Sequence, residues 1–458
     1  MIRFIDRGDE IGLLEEEWKK EKARFIVVYG RRRIGKTRLL MEFAADKKGV
    51  YFIGEDTSRQ IHIRDLKNAL ADFFNDSFLR NTEIRDWSNF FEYLKKIIPE
   101  KERFYIIVDE FSYFIKADAS ITSSLQKFWD LFLSRTNVFF VVSGSIFGLM
   151  EESVLSSSSP LYGRRTRDIL LGQLPARHAA MFLASDIEEK LKTIMCIGGI
   201  PEYLIKASES DNFKSFIENE FFRKSGYFYR EPYYLLSQEF KEIKTYFSII
   251  NAIAFGNTKA TEIANFVGID SREIYPYLEN LIRHGFIKKE ISVLGDRKGG
   301  IYLIEDNFFD FWFNFVYPNR NSIERKSYSA SEHDLNRYLG KRFEMLIRND
   351  IFQEIFGPKF EKLGRWWHKD KEIDIVALSE QTKEILFAEC KWQEKVNAEK
   401  IAKELAEKSR FVDWNLNERK ETFAVFAKSF RKKIYEFGGK KVYCFDLKDL
   451  GRVMENGK

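Results

Sequence analysis

Cysteine and histidine are scarce in this chain of 458 residues. The three cysteines, Cys196, Cys390 and Cys444, lie far apart and are odd in number, and the five histidines are scattered. This argues against a disulfide framework and the usual zinc-binding spacings, so a reducing cytoplasm is the expected compartment. No run of about 18 apolar residues occurs, which predicts no membrane span. The N-terminal segment is acidic early and lacks a long apolar run, so it does not read as a signal peptide.

Neither sign of charge dominates. The chain has 75 Lys and Arg residues against 70 Asp and Glu residues, a formal net charge of +5 and a pI of about 8.7. This balance permits nucleic-acid binding without requiring it, and an ordinary soluble protein fits it equally well. Hydrophobic residues make up 44%, including 44 Phe. A chain of this length is too long for one core, so we expect several domains.

One apolar run leads directly into a glycine-rich loop. The segment from Phe25 to Tyr29 is typical of a buried parallel strand, and GRRRIGKT and a helical apolar period follow it. Strand, glycine loop and helix in this order predict a phosphate-binding loop for ATP. Lys36 would reach the β- and γ-phosphates, and the Thr37 hydroxyl would ligate Mg²⁺. The loop residues expected to contact the nucleotide are Gly30, Arg31, Arg32, Arg33, Ile34, Gly35, Lys36, Thr37 and Arg38.

Carboxylates follow a second apolar strand, RFYIIVDEF. Asp109 and Glu110 come at its end, where ligands gather in open α/β sheets. We expect Asp109 to hold Mg²⁺ through water and Glu110 to polarise the attacking water. A third strand, NVFFVVSGS, ends near Ser143, which either senses the γ-phosphate or belongs to an ordinary turn.

Two arginines follow in the segment SPLYGRRTRDI. Arg164 and Arg165 are candidates for stabilising charge in the transition state, in cis or from a neighbouring subunit. Ordinary loop arginines are the alternative.

The motifs FIDRGDEIGLL, YGRRRIGKT, IIVDEF, SGS, PLYGRR and GGIPEYL resemble, in this order, the archaeal STAND-type P-loop ATPases, which are relatives of AAA+ proteins. The resemblance covers roughly residues 1–235. It implies a five-stranded RecA-like core with a helical lid, and it places Arg7 and Glu10 near the base and Pro201 where the lid meets the nucleotide. It also implies a possible self-oligomer or partner protein.

The middle of the chain reads helix, turn, helix and two strands. Ile263, Ala264 and Val267 form one apolar helical period, Gly268 ends that helix, and a second period begins at Ile274. Two strands around LGDRKGG complete a winged helix-turn-helix. This unit either reads DNA through its second helix or packs as a rigid spacer on the ATPase.

The second of these helices carries Arg272, Glu273 and Glu279 rather than a run of cations. Arg297 and Lys298 in the wing are candidates for phosphate contacts. The aromatic segment NFFDFWFNFVYPNR that follows is expected to be a buried helix joining two domains, with an aromatic box for bases as the alternative.

A hairpin near the end of the chain, EIDIVALSEQTKEILFAECKW, concentrates charge. If Leu378 lies opposite Ile385, the antiparallel register places Asp374 opposite Glu389, and Lys391 shares the face of Glu389. Carboxylates that meet in this way repel one another unless a cation lies between them. The pattern therefore predicts a Mg²⁺ site, and the alternative is a solvated charge ladder.

The order of helix-Glu, strand-Asp and strand-ExK resembles the PD-(D/E)xK nuclease superfamily. The resemblance implies that Asp374, Glu389 and Glu344 hold the metal and that Lys391 is catalytic. The predicted fold class is multidomain α/β. The expected domains are an ATPase core at 1–175, a helical lid at 176–235, a winged helix at 236–318, a linker at 319–333 and a nuclease-like domain at 334–458.

The expected function is an ATP-hydrolysing switch that acts on DNA through this Mg²⁺-dependent C-terminal domain. The alternative is a signalling or scaffold ATPase that binds DNA or protein without cleaving. A translocase ranks lower, because the sequence contains no second motor domain.

Overall fold

The computed structural model describes residues 4–295 and 300–455. The wing residues Arg297 and Lys298 lie outside the described residues. The chain divides into two compact units, Met1–Gln173 and Leu174–Lys458.

A five-stranded parallel sheet forms the centre of the first unit. Its strands are β1 (Arg24–Tyr29), β2 (Gly49–Ile53), β3 (Tyr105–Asp109), β4 (Phe139–Gly144) and β5 (Arg167–Leu170), in the order β2-β3-β4-β1-β5. The central strands β3 and β4 are buried along their whole length, as their continuous apolar sequences predict. This confirms the expected parallel sheet of a P-loop ATPase core.

Helices accompany the sheet in the first unit. In the helix Trp87–Ile97, the buried residues Trp87, Phe90, Phe91 and Leu94 follow the spacing of one helical face, so that face packs into the core. The helices are α1 (Gly8–Trp18), α2 (Lys36–Ala44), α3 (Arg59–Phe74), α4 (Ser77–Asn81), α5 (Trp87–Ile97), α6 (Phe111–Ala117), α7 (Ser120–Leu131) and α8 (Phe147–Met150), with a 3₁₀ turn at Leu133–Arg135 and a π turn at Glu151–Leu155.

Helices open the second unit, and a hairpin follows them. Gly268 ends the helix Ala260–Val267 with a left-handed φ of 80°, as its position after Val267 predicts. The elements are α9 (Ala176–Ala180), α10 (Ile187–Ile197), α11 (Pro201–Ser208), α12 (Phe213–Glu220), α13 (Glu231–Glu239), α14 (Ile243–Ala254), α15 (Ala260–Val267), α16 (Ile274–Arg283), β6 (Ile287–Glu290) and β7 (Ile301–Ile304).

The aromatic segment is helical and buried. It forms α17 (Asn307–Phe311) and a π turn (Trp312–Val316), and six of its aromatic rings are at most 5% exposed. Burial supports the buried-helix interpretation over an open aromatic box. The expected linker at 319–333 includes a further helix, α18 (Arg320–Glu324), whose Ile323 is buried.

A six-stranded sheet forms the last part of the second unit, in the order β14-β15-β12-β10-β9-β8. β8 to β10 pair antiparallel, whereas β10, β12 and β15 run parallel. The elements are α19 (Glu332–Leu346), a π turn (Ile347–Ile351), α20 (Phe352–Phe356), a 3₁₀ turn (Gly357–Lys359), β8 (Lys362–His368), β9 (Lys371–Ser379), β10 (Glu384–Lys391), β11 (Val396–Asn397), α21 (Ala398–Ser409), β12 (Lys420–Ala427), β13 (Phe430–Lys432), β14 (Glu436–Phe437), β15 (Lys440–Phe445) and α22 (Leu447–Glu455).

The segment after β6 lies along the outer edge of this sheet. The Val293 N–H donates to the Arg365 carbonyl at 2.9 Å, and the Trp367 N–H donates to the Ser292 hydroxyl at 3.3 Å. The hairpin of β6 and β7 is therefore joined to strand β8 by hydrogen bonds. In the described parts of the chain, no helix has both the length and the apolar character needed to cross a membrane.

The core of the six-stranded sheet depends on Phe387, which is fully buried. We expect Phe387→Ala to lower the free energy of unfolding of the second unit by about 3–5 kcal/mol, because the lost ring leaves a cavity. Urea unfolding followed by circular dichroism measures this. Tyr435→Ala serves as the control because Tyr435 is 81% exposed, and an equal loss in both variants would contradict the prediction.

Candidate functional site

The glycine-rich loop begins at the carboxyl end of β1, where only glycine fits. Gly30 has a φ of 150°, and a Cβ at this position would lie 2.4 Å from the Leu171 carbonyl oxygen. Arg33 and Gly35 are also left-handed, with φ of 70° and 95°. These conformations curl the loop ahead of the N-terminus of α2, which is the arrangement that binds phosphate through backbone N–H groups.

Lys36 is folded onto its own loop. Its Nζ donates to the carbonyls of Gly30 at 2.9 Å and Arg31 at 3.1 Å, and the residue is buried. The ammonium group is thus held inside the loop by two backbone acceptors. Phosphate oxygens are stronger, charged acceptors and can replace them.

The Asp109 carboxylate connects three elements at the carboxyl edge of the sheet. One oxygen, Oδ2, accepts hydrogen bonds from Thr37 Oγ1 at 2.7 Å and from the Tyr51 hydroxyl at 2.8 Å. The other, Oδ1, accepts from the Ser143 hydroxyl and from the Glu110 N–H. Adjacent hydroxyl and carboxylate oxygens are hard ligands, so Thr37 and Asp109 fit a Mg²⁺ ion bound with ATP.

Glu110 stands next to this carboxylate in a left-handed conformation, with a φ of 54°. Its Oε2 accepts a hydrogen bond from Ser145 Oγ at 2.6 Å. A non-glycine residue held at positive φ is uncommon and concentrates at functional positions. The arrangement directs a carboxylate toward the same edge of the sheet as the loop.

Arg7 contacts the back of the loop. Its guanidinium donates to the carbonyls of Ile34 at 3.2 Å and Gly172 at 2.7 Å, and it forms an ion pair with Glu10 at 3.1 Å. Arg7 and Glu10 are therefore close to the loop, and their role beside a nucleotide base stays a prediction. Pro201 begins α11 in the second unit.

The remaining loop arginines are half-buried or exposed. Arg32 donates to the Tyr113 hydroxyl at 3.4 Å, and Arg38 pairs with Glu42 at 3.3 Å on the exposed face of α2. Their contacts with nucleotide stay predictions.

The backbone of Arg164 and Arg165 lies near the amino end of β1, because the Thr166 N–H donates to the Phe25 carbonyl, whereas the glycine-rich loop follows the carboxyl end of β1. The length of β1 separates the two ends by roughly 16 Å. Arg164 pairs with Asp130 at 3.0 Å, and Arg165 donates to the Leu155 carbonyl at 3.1 Å. Their roles in the transition state, in cis or from a neighbouring copy, stay predictions.

Sequence reasoning missed Tyr51 and Ser145. Tyr51 lies on β2, distant in sequence from Asp109, and burial together with Asp109 raises the pKa of its hydroxyl. No local pattern indicates that contact. Ser145, by contrast, lies two residues after Ser143 at the end of the same strand, so its position was a usable signal.

The C-terminal hairpin has the register that was assumed. Leu378 pairs with Ile385, and the pairing continues to Ile375 and Ala388. The next pair along this register would be Asp374 and Glu389. Both carboxylates are almost fully buried, at 4% and 2% exposed, which excludes a solvated charge ladder at these two positions.

Two lysines bind the Glu389 carboxylate. Lys391 Nζ lies 2.7 Å from Oε2, and Lys408 Nζ lies 2.5 Å from Oε1. Burial disfavours the charged form of Lys391, but Glu389 and Asp374 outweigh this and raise its pKa. Lys408, on α21, was not identified from the sequence, because the helix is far from the hairpin along the chain.

Asp374 and Glu344 influence each other's ionisation. Burial and the Asp374 carboxylate raise the pKa of Glu344 to about 8. Burial and Glu389 raise the pKa of Asp374 to about 6, although Asp374 Oδ2 accepts a hydrogen bond from the Cys390 N–H at 2.8 Å. Crowded carboxylates of this kind are stabilised by a nearby cation.

The fit of these carboxylates to a metal is partial. Within residues 4–295 and 300–455, no group of three or more His, Cys, Asp or Glu side chains is arranged to hold a metal ion. Both Glu389 oxygens are bound by lysine ammonium groups, so a metal ligand at Glu389 would first have to replace one of them. The metal roles of Asp374, Glu389 and Glu344 stay predictions.

The geometry of the loop and its carboxylates defines a P-loop ATPase. Residues 4–207 match the family described as an ATPase domain predominantly from Archaea, and residues 312–401 match one described as archaeal and bacterial proteins of unknown function. The uncharacterized protein MJECL04 of Methanocaldococcus jannaschii is 33% identical over 458 residues, covering 98% of this chain and 100% of that protein. The chain belongs to the same family as MJECL04, and its residues 4–207 match the archaeal ATPase domain.

Two further comparisons agree with this. An uncharacterized ATP-binding protein of Methanocaldococcus jannaschii is 44% identical over 48 residues, which are 10% of this chain and 81% of that protein. The structure of a Walker-type ATPase of Pyrococcus abyssi superposes with a TM-score of 0.52 at 19% identity, covering 68% of this chain and 96% of that one. This chain therefore shares its fold with the Pyrococcus abyssi ATPase over the superposed part. The expected resemblance to archaeal P-loop ATPases is confirmed at this level, whereas the lid, the winged helix and the nuclease-like domain stay predictions.

The raised pKa values predict that the second unit loses stability as the pH rises. Glu344 binds its proton more tightly in the folded chain, so its stabilisation is complete below its ordinary pKa of 4.5 and is lost as the pH rises through about 8. Glu344→Gln should flatten this pH dependence, because the amide does not titrate. Urea unfolding at several pH values without divalent cations measures it.

The control for this experiment is Glu399→Gln, which changes an exposed carboxylate on α21. It should keep the slope of the parent protein. Identical slopes for Glu344→Gln and the parent would contradict the prediction.

Proposed function

We propose that the protein binds ATP with Mg²⁺, hydrolyses it and uses the cycle as a switch. The observation that carries this proposal is the 2.7 Å contact between the Thr37 hydroxyl and the Asp109 carboxylate beside the glycine-rich loop. The loop, a hydroxyl and a strand-end carboxylate are the parts that P-loop ATPases use to hold a nucleotide and its metal ion.

Binding of the triphosphate begins with an exchange of partners. Lys36 leaves the Gly30 and Arg31 carbonyls for phosphate oxygens, and the backbone N–H groups of the loop donate to the same phosphates. Thr37 and Asp109, whose oxygens lie 2.7 Å apart, would hold the Mg²⁺ ion. When bound, Mg²⁺ neutralises the charge that develops on the phosphate oxygens.

Hydrolysis requires a group that orients water. Glu110 is that group, because its carboxylate lies at the sheet edge beside Asp109 and accepts a proton through Oε1 while Ser145 holds Oε2. Ser143 and Ser145 thereby connect the end of β4 to both acidic residues. A sensing role for Ser143 follows from this connection, since a shift of β4 moves the carboxylates.

The backbone of Arg164 lies near the amino end of β1, and its guanidinium pairs with Asp130 at 3.0 Å. We therefore propose that Arg164 stabilises the γ-phosphate bound to a second copy of the chain, so that ATP hydrolysis is fastest in a self-oligomer.

We expect Glu110→Gln to bind ATP as tightly as the parent but to hydrolyse it about 10²- to 10⁴-fold more slowly, because the amide cannot accept the proton. Lys36→Ala should lose binding itself. Calorimetry with a non-hydrolysable analogue and phosphate release separate the two effects. Glu152→Gln, an exposed site in the same unit, is the control, and a Glu110→Gln protein with full activity would exclude this role.

A second proposal concerns the C-terminal hairpin. We propose that it cuts DNA with Mg²⁺, as a nuclease-like domain controlled by the ATPase. Its support is the pair of buried carboxylates, Asp374 and Glu389, with the half-buried Lys391 at 2.7 Å from Glu389. Burial and Asp374 also raise the pKa of Glu344. A bound divalent ion would supply a Lewis acid at the phosphate, while Lys391 orients water.

The rival interpretation is a switch or scaffold that binds DNA or protein without cutting. It is favoured by Lys391 and Lys408, which already neutralise Glu389. Under this interpretation the buried charges hold the sheet and α21 together, and no metal is needed.

Incubation with linear, circular and branched DNA plus Mg²⁺ or Mn²⁺ decides between these proposals. Lys391→Ala should reduce cleavage at least about 10²-fold, because one charged stabiliser of the transition state is removed. Lys441→Ala is the control and should leave cleavage unchanged, because Lys441 lies on β15, which is separated from β10 by β12. A protein that hydrolyses ATP but cleaves none of these DNA substrates would exclude the nuclease proposal and support the switch or scaffold interpretation.

A further inference from the structure

A groove of about 800 Å³ lies within the second unit. One wall is strand β7, which contributes Ile301 and Leu303, and the other is helix α19, which contributes Lys341 and Met345. Glu344, on the same helix, also lines it. The groove therefore reaches one of the three carboxylates that are expected to hold a metal in the C-terminal domain.

Cations follow one face of α19 along this groove. Arg337 and Lys341 line it together with Glu344, at steps of four and three residues, and the buried Arg348 follows in the π turn. Side chains at these steps lie on the same helix face about 5–6 Å apart. This row can contact successive charged groups of an extended polyanion.

Three acidic residues of the groove are already paired with arginines other than Arg337. Arg348 pairs with Glu290 at 2.7 Å, Arg342 pairs with Asp310 at 3.3 Å, and Arg365 pairs with Glu372. These acids therefore do not cancel the charge of the α19 row.

The outer cations of the row are available to a ligand. Lys341 is exposed and makes no ion pair with any residue in 4–295 or 300–455. Arg337 has an exposed pair with Asp334 at 3.0 Å, and exposed pairs are weak enough to exchange.

Buried polar atoms in the groove lack partners. Among the described residues, Arg365 Nε, Arg342 Nε and Glu290 Oε2 are buried and make no hydrogen bond, and all three residues line the groove. Unsatisfied buried donors and acceptors indicate that a polar ligand or water completes the site. A ligand or water that completes the site has to accept from the two Nε atoms and donate to the Glu290 oxygen.

The same groove offers apolar and aromatic contacts. Ile301, Leu303 and Met345 line it, and Phe255 at the end of α14 is 60% exposed. Only unpaired bases can pack on such side chains, since the bases of a duplex are stacked and paired inside it.

We propose that this groove binds single-stranded nucleic acid, with phosphates at Arg337 and Lys341 and unpaired bases against the β7 wall and Phe255. The strand then passes Glu344. This inference rests on the proposed action on DNA, and it does not require that the DNA be cut.

The test uses the full chain and a short fluorescent oligothymidylate, with fluorescence anisotropy as the readout. The Arg337→Glu/Lys341→Glu variant should bind at least about tenfold more weakly. The slope of the logarithm of its binding constant against the logarithm of the salt concentration should become shallower by about 1.4, because two phosphate contacts are lost. Lys441→Glu/Lys448→Glu, with the same change of charge at β15 and α22, should bind like the parent.

A second variant tests the bases. Phe255→Ala should weaken binding of the oligonucleotide about tenfold but leave binding of inorganic polyphosphate unchanged, because only bases stack on the ring. Because Phe255 is exposed, its replacement should not disturb folding, and thermal unfolding of each variant checks this.

Three results would overturn the inference. Equal losses in the groove variant and its control would indicate a diffuse charge effect. A duplex that binds as tightly as the single strand and is weakened in the same way would exclude unpaired bases. If the protein hydrolyses ATP but binds no nucleic acid, both the proposed role of the groove and the proposed action on DNA are wrong, whereas the proposed ATPase activity stands.

Discussion

The burial of one carboxylate, Asp109, is the constraint on which the ATPase unit depends. The residue is fully buried, and a buried charge is costly unless donors surround it. Thr37, Tyr51 and Ser143 supply hydroxyl donors, and Glu110 adds its N–H. Three strands and the loop helix are thereby connected through a single side chain. A ligand that takes Thr37 away from this carboxylate changes the contacts of all of them.

In the second unit, the buried Glu389 carboxylate is stabilised by cations rather than by hydroxyl donors. Glu389 is bound by lysines from β10 and α21, and Arg348 donates to the Asp374 carbonyl at 3.1 Å while pairing with Glu290 on β6. Cations at buried carboxylates leave the site close to neutral. The charge that a ligand meets there is therefore set by the groove outside it, where Lys341 is exposed and makes no ion pair within residues 4–295 and 300–455.

The sequence indicates most where chemistry is local. GRRRIGKT between an apolar strand and a helix specifies the loop, because its glycines and strand are adjacent in the chain. The hairpin register could also be predicted, since side chains alternate strictly along a strand. In that register the positions of Asp374 and Glu389 follow from one assumed pair, Leu378 with Ile385.

Long-range contacts could not be predicted in this way. Tyr51 and Lys408 reach their carboxylates from elements distant in sequence, and no periodicity reports such a meeting. Motif order also does not tell at which end of the parallel strands the segment with Arg164 and Arg165 lies. That end is determined by strand pairing, which places the neighbouring Thr166 beside Phe25.

The contact of Ser292 and Val293 with β8 has a consequence for the architecture of the second unit. Strand β8 is an edge strand, and an uncovered edge offers backbone groups to any other strand. The segment after β6 covers part of that edge. A fragment that began at residue 334 would leave it bare and would self-associate through β8. The segment after β6 thus limits how much of the β8 edge another strand can pair with.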